Sequence, residues 1–393
     1  MKFSEIRGHK ETVDALRRLA DTRRIPHAIL LAGSPGIGKM RLARALGQYI
    51  HCKNPQNGDP CGVCASCLQH RSFNNPDLHF SYPIVKKEGA TISKDLLPAW
   101  REMLEKYPYM PIEMWQKLIN AGNTIPAIYV SESEDLLDRA ALSAYQENYK
   151  IFIMWLPEKL RPEAANKLLK VIEEPFEDTV FILVSNEPAK LLPTILSRTQ
   201  RFNLSPLSTP ALAEVIEEDL HFGAEKAYEI ARISEGSISK ALDMALHSEE
   251  SDEFTSCFME MMRACYAVQG KKIKDLADYI ASFGREKIIR FLTYCSRMIR
   301  ENFIYNVTVS PSLASEANGY PINSPHALNQ MTGIEENFSK KFSPFVNEKN
   351  VEGLSEEISR AATDIERNAN AKIVLFDLFF LISRLLHLAK NQN

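Results

Sequence analysis

Apolar residues in the first half of the chain follow two alternating patterns. Short unbroken apolar runs lie at 28–32 (AILLA), 78–82, 127–130, 151–155 and 179–185. Runs of this length and composition are what strands buried on both faces of a parallel sheet require. Between them the apolar positions recur at helical spacing. Val13, Leu16 and Leu19 form one such set, and Leu42, Ala45, Leu46 and Tyr49 another. In SESEDLLDRAALSAYQENY, Ser131 and Glu134 stand at capping-box spacing and predict a helix start. In RPEAANKLLKVIEEP, Pro162 stands near a helix start and Pro175 stops the helix. Its Ala165, Leu168, Leu169 and Ile172 share one face. Strands alternating with helices predict βαβ units and a parallel sheet, placed over residues 1–205.

Two stretches break this rhythm. Residues 86–126 hold Trp100, Tyr107, Pro108, Tyr109, Pro111 and Trp115, with one short helix expected at 95–106. They read as an insertion between two strands, with no role legible in the residues. The three tryptophans read as packing residues rather than base-stacking platforms. From 206 to 250, three short amphipathic helices separated by Gly223 and Gly236 predict a small helical domain. Residues 251–393 are helical in period, apart from a loop-like stretch at 308–350. The last helical stretch carries Ile373, Leu375, Phe376, Leu378, Phe379, Phe380, Ile382 and Leu385. A helix apolar on most sides is expected at the centre of its domain.

With 393 residues the chain is long enough for two or three cores. Its 45% hydrophobic and 25% charged content is that of an ordinary globular protein. A formal net charge of −3 argues against a protein that wraps nucleic acid unaided. It leaves open a subunit whose partners carry the basic charge. No apolar run approaches the roughly 20 residues of a membrane span. The first residues, MKFSEIRGHKETVDAL, lack an apolar signal segment. A cytoplasmic location and no membrane association are expected.

The loop after the first strand reads Gly33, Ser34, Pro35, Gly36, Ile37, Gly38, Lys39, Met40. Its glycines and lysine match the phosphate-cradling pattern, in which backbone N–H groups at a helix start cup an anion. Met40 occupies the position where a Ser or Thr hydroxyl holds Mg²⁺. A glycine-rich strand-to-helix turn without a ligand is the competing reading. In a hydrolysing enzyme, the strand at 151–155 would end on an Asp for Mg²⁺ and a Glu that helps activate water. Trp155, Leu156 and Pro157 stand there instead, and Glu158 comes too late in sequence to sit at the strand tip. Two independent parts of one metal site are missing, so intrinsic ATP hydrolysis is not expected. Nucleotide binding is expected to be weak or absent.

Four of the seven cysteines cluster as Cys52, Cys61, Cys64 and Cys67. Two C-x2-C steps bring three sulfurs into one knuckle, Gly62 eases the turn, and Cys52 supplies the fourth. Four thiolates make the closed tetrahedral set of a structural zinc site, with no position open for catalysis. An iron–sulfur cluster is the rival, although the C-x3-C-P continuation of a ferredoxin run is absent. Four unrelated thiols is the third reading.

In combination, IPHAILLAGSPGIGK at 25–39, the cysteine spacing, NNPDLH at 74–79, AANKLLKVIEEPFEDTVFILVSNEP at 164–188 and LLPTILSRTQRF at 191–202 resemble the clamp-loader subunits of bacterial DNA polymerase III, of the AAA+ class. The resemblance covers most of residues 1–250 and, more loosely, the helical C-terminus. It implies an AAA+ P-loop domain with a zinc module, a helical lid at 206–250 and a helical oligomerisation domain at 251–393. It implies a hetero-oligomeric ring with gamma/tau and delta subunits that loads a sliding clamp onto primed DNA. Hydrolysing gamma/tau subunits of the family keep the hydroxyl and the acidic pair. The delta-prime type has a degenerate site, keeps the zinc module and serves as a stator, and the losses here match it.

The resemblance also gives Ser197-Arg198-Thr199 a role. The family motif is Ser-Arg-Cys, whose arginine reaches the phosphate of ATP held by a neighbouring subunit. Thr199 departs from the motif and leaves the guanidinium in place. A surface arginine near a helix end is the competing reading. In the family's lid, an Arg two positions after a Gly-Ser pair contacts nucleotide; here Gly236-Ser237 is followed by Ile238 and Ser239. Asn186 falls near the family's polar sensor position and is equally well explained as a turn residue.

Three functions compete. Met40, Trp155, Leu156 and Ser239 oppose an ATP-hydrolysing gamma/tau-type subunit. A zinc protein that binds nucleic acid through the knuckle is opposed by local charge, since 52–72 holds Lys53 and Arg71 against Asp59. A non-hydrolysing clamp-loader subunit remains.

Overall fold

The computed structural model describes residues 1–309, 331 and 333–388, apart from 88, 123 and 247. These fall into two compact units, Met1–Asp243 and Met244–Asn393.

The first unit is built on a five-stranded parallel sheet. Its strands are β1 (Ala28–Ala32), β2 (Leu78–Ser81), β3 (Lys150–Trp155), β4 (Thr179–Ser185) and β5 (Gln200–Asn203). Their spatial order is β2-β3-β4-β1-β5. Successive side chains point to opposite faces, and both faces are covered. Ile29, Leu31, Ile151, Ile153, Ile182 and Val184 enter one core, with the helices Lys10–Asp21 and Lys39–His51 and the insertion. Leu30, Phe152, Met154, Phe181 and Leu183 enter the other, with the helices Val130–Ala141 and Pro162–Glu173. Two-sided burial is the reason β1, β3 and β4 read as unbroken apolar runs.

Two strand expectations change. The run 127–130 does not join the sheet. Ala127 exchanges both backbone hydrogen bonds with Ile84, each 2.9 Å, and Ile128 pairs with the chain around Leu160. These single bridges satisfy the backbone on both sides, and a helix starts at once from Val130. In exchange, β5 forms from Gln200–Asn203, mostly exposed and with Phe202 its one apolar residue, because β1 offers a free edge in register from Ile29↔Gln200 to Ala32↔Asn203.

The helix expected at 131–149 is Val130–Ala141, and its capping box does not form. Ser131 lies inside the helix, its hydroxyl donating to the Thr91 carbonyl at 3.0 Å, and Glu134 pairs with Lys167. The helix stops at Ala141 because two other groups take over the backbone partners. Lys150 Nζ donates to the carbonyls of Ala140 and Leu142. Buried Asp77 accepts the N–H groups of Tyr145, Gln146 and Glu147 at 2.7, 2.8 and 2.8 Å. Asp77→Ala leaves three amide donors without their acceptor. Its expected cost is about 1–3 kcal/mol of first-unit stability, read as a lower urea midpoint.

The helices Thr209–Leu220, Ala224–Ile233 and Ile238–Leu246 follow the sheet. Gly236 has φ +78°, and a Cβ there would lie 2.5 Å from the Leu207 carbonyl oxygen, so only glycine fits.

The second unit is all-helical among the described residues. Its core holds Phe258, Phe291, Leu292, Met298, Leu354, Ile358 and Phe379. The helix Ala371–Leu388 packs on Ser248–Tyr266, Gly270–Ala281 and Val351–Glu366, as its apolar character predicts. One side of it stays open, with Ile373, Phe376 and Phe380 exposed. The helix Gly333–Phe342 lies inside the stretch expected to be loop-like, 308–350, of which 310–330 and 332 lie outside the described residues.

Candidate functional site

The phosphate loop joins β1 to the helix Lys39–His51, so the first helical N–H groups face the carboxyl end of the sheet. Gly36 (φ +76°) and Gly38 (φ +95°) take left-handed conformations that favour glycine. Lys39 is 4% exposed. Its Nζ donates to the Gly33 carbonyl at 2.8 Å and to the Ser34 carbonyl. Burial pulls its pKa down to about 7, against an opposing pull from Glu158. Met40 packs in the core at 3% exposure and brings no oxygen to the loop.

The tip of β3 is apolar, as the sequence predicts. Trp155 and Leu156 are each 2% exposed, and Leu156 sits at φ +56°. Glu158 lies nearer than its place in sequence suggests. Its Oε1 accepts the N–H groups of Asn186 and Glu187 at 2.8 and 3.2 Å, tying it to the end of β4. Glu158 is thereby brought to the strand ends, contrary to the expectation, and is held there as a backbone acceptor.

The mouth of the loop is filled. Gly36, Gly38, Lys39, Met40, Trp155 and Asn186 line it together with Pro108, Tyr109 and Met110 of the insertion, leaving a cavity of about 10 Å³. That is about one water. Tyr109 Oη accepts from Arg41 at 2.7 Å. On its other side the loop meets the helix Ile238–Leu246. The Gly36 carbonyl accepts from the N–H groups of Ile238 and Ser239 at 3.0 and 3.2 Å, and Ser237 Oγ donates to the Pro35 carbonyl at 3.2 Å. Sequence reasoning missed Tyr109 and Met110. The clustered prolines Pro108 and Pro111 marked a rigid turn, but nothing local said what it faces.

Cys52, Cys61, Cys64 and Cys67 converge, with all four sulfurs within 4.8 Å of one another. The Cys61–Cys67 separation is 3.9 Å. Tetrahedral thiolates at a Zn–S distance of 2.3 Å stand about 3.8 Å apart, so the donor set fits that ion. Backbone N–H groups already point at sulfur: Cys61 N–H at Cys52 Sγ, 3.2 Å, and Cys64 N–H at Cys61 Sγ, 3.4 Å. N–H donation from Val63 and Cys64 lowers the Cys61 pKa to about 6. Burial raises Cys67 to about 12, against donation from buried Gln48.

Arg198 follows the short helix Pro193–Leu196 and precedes β5. Its guanidinium donates to the Thr194 carbonyl at 3.1 Å and Ser197 Oγ at 3.2 Å, and pairs with Glu173 at 3.0 Å. Ser197 and Thr199 turn their hydroxyls back on the carbonyls of Thr194 and Leu196. Because β5 runs parallel to β1, Arg198 lies at the amino end of the sheet and the phosphate loop at the carboxyl end. About 13 Å of strand separates the two. Arg198 therefore does not serve the loop of its own chain.

A family model described as "DNA polymerase III, delta subunit" matches residues 8–208. The chain belongs to that family. Within the family, similar relatives carry different subunit names. DNA polymerase III subunit gamma/tau of Mycobacterium tuberculosis is 30% identical over 221 residues, which is 55% of this chain and 32% of the relative. Subunit tau of Escherichia coli is 27% identical over 268 residues, 66% of this chain and 35% of the relative. Subunit delta' of Bacillus subtilis is 25% identical over 265 residues, 67% of each. The chain thus spans about a third of the length of the gamma/tau relatives it matches.

Proposed function

We propose that this family member is a non-hydrolysing, delta-prime-type subunit of the DNA polymerase III clamp loader. In this reading it is a cytoplasmic stator in a hetero-oligomeric ring with gamma/tau and delta subunits. The ring loads a sliding clamp onto primed DNA. The chain holds one structural zinc on Cys52, Cys61, Cys64 and Cys67 and lends Arg198 to the ATP site of a neighbour. The observation that carries the reading is the state of the phosphate loop. Met40 and Trp155 stand at both Mg²⁺ positions, and the loop mouth has room for about one water.

The gamma/tau relatives favour a second reading, an ATP-hydrolysing subunit. Phosphate release by the purified chain decides between them. The expected result is no Mg²⁺-dependent ATPase above background, and none gained by Met40→Thr, because the acidic pair stays absent. Turnover that vanishes on Lys39→Ala would establish the second reading instead.

A further inference from the structure

We propose that the turn 107–110 of the insertion is an internal occupant of the nucleotide site, and that Tyr109 and Met110 are the residues that keep nucleotide out. This rests on the reading of the loop as non-hydrolysing.

The insertion is docked on the residue that replaces the metal-binding acid. Trp155, at the tip of β3, packs against Trp100 and Trp115 of the insertion, with ring centroids 5.5 and 6.4 Å away. Tyr82 stacks on Trp100 at 3.9 Å, and Trp115 Nε1 donates to the Pro83 carbonyl at 2.7 Å. One substitution therefore does two things. An indole at position 155 removes the carboxylate that would hold Mg²⁺ and supplies the apolar floor on which the insertion sits.

From that floor the turn at 107–110 is pressed into the loop mouth. The Met110 N–H donates to the Tyr107 carbonyl at 2.9 Å. Met110 adopts φ +57° while 5% exposed and directly before Pro111. A left-handed methionine ahead of proline is a disfavoured conformation, kept only where the surroundings impose it. Here it holds Tyr109 3.7 Å from the Cβ position of Gly38, with its hydroxyl on Arg41.

Lys39 is turned onto backbone carbonyls, where phosphate oxygens of a nucleotide would otherwise accept from it, and the loop is tied to its neighbouring helix. Lys39 directs two of its three N–H donors to the carbonyls of Gly33 and Ser34. Gly36 accepts from Ile238 and Ser239. A triphosphate entering this site displaces Tyr109 and Met110, and with them the packing on Trp155. The loop and the start of the helix Ile238–Leu246 are joined directly by hydrogen bonds.

The test is binding of fluorescent ADP to the full-length chain, by anisotropy, with zinc content and circular dichroism as checks of folding. The probe variant is Tyr109→Ala with Met110→Gly, the glycine taking the left-handed conformation without strain. Wild type is expected to show no saturable binding. The variant is expected to bind at least about tenfold tighter, since apparent affinity scales with the fraction of open sites. Adding Lys39→Ala to it should abolish the gain. Tyr109→Phe keeps the ring and should stay closed like wild type. If the double variant does not fold, Tyr109→Ser carries the same comparison. Equal affinity of wild type and opened variant overturns the proposal, as does a folded variant that binds no ADP, or binding that survives Lys39→Ala. ATP hydrolysis by wild type would defeat the non-hydrolysing reading as well. ADP binding by wild type without hydrolysis defeats only the occupancy.

Discussion

Arg198→Ala, placed in an assembled complex with its partner subunits, is expected to lower ATP hydrolysis at the neighbouring site by about 10³–10⁵. A guanidinium supplied from outside the site stabilises charge that develops on the transferring phosphoryl group, and its planar fork suits phosphate oxygens. Three features of this chain motivate the expectation. Arg198 is about 39% exposed and held by Glu173, Thr194 and Ser197, so it stands at the surface in a defined pose. It lies at the opposite end of the sheet from its own phosphate loop. The mouth of that loop is lined by Pro108, Tyr109 and Met110, with about 10 Å³ of free volume. The ion pair with Glu173 is surface-exposed and worth at most about 1 kcal/mol, so a triphosphate can replace it. Total turnover of the complex will fall less than the single site does, because other subunits bring their own arginines. The measurement is therefore DNA- and clamp-stimulated ATPase at matched assembly, alongside zinc content as a folding check. Equal rates and equal clamp loading with wild-type and variant chain would reduce Arg198 to a surface residue.

Removal of zinc is expected to unfold the region around Cys52–Cys67 while leaving the second unit folded. Metal binding to a structural thiolate site is folding free energy, about 10–16 kcal/mol in small zinc modules. Between Cys52 and the helix Ala65–Arg71 the chain has little apolar burial to replace it. Val63 and Leu68 are exposed, and Cys67 and His70 are the inward-facing residues of that helix besides Ser66. Metal analysis should find close to one zinc per chain and a colourless protein. Chelation should lower the thermal midpoint and open 52–71 to protease ahead of the rest. Zinc content unchanged in a Cys61→Ser/Cys64→Ser double variant refutes the assignment, and a brown, iron-containing protein favours the cluster.

Some of this was open to sequence reading because the chemistry is local. A loop that needs Gly33, Gly38 and Lys39 at fixed offsets shows its pattern in eight residues, and so does the methionine that stands at position 40 in place of a hydroxyl. The C-x2-C steps fix three sulfurs by chain geometry alone. Strands β1, β3 and β4 announced themselves because both of their faces are buried. The signal failed where partners rather than composition decide. Gln200–Asn203 has one apolar residue, Phe202, and is mostly exposed; it becomes a strand because the edge of β1 receives it. Residues 127–130 look like a strand, yet their neighbours Ile84 and Leu160 offer single bridges. Ser131 and Glu134 have capping-box spacing, but Thr91 and Lys167 take their side chains.

By itself, the sequence determined the parallel α/β class, the spacing of the four cysteines, the apolar residues Met40 and Trp155 and the motif Ser197-Arg198-Thr199. Each of these is written in residues a few positions apart, where backbone geometry alone sets the spacing. Tertiary structure decided what fills the phosphate loop, where Glu158 goes, and at which end of the sheet Arg198 stands. Those outcomes depend on side chains far apart in sequence, such as Trp100, Trp115 and Trp155, which meet only when the sheet has closed and the insertion has packed onto it.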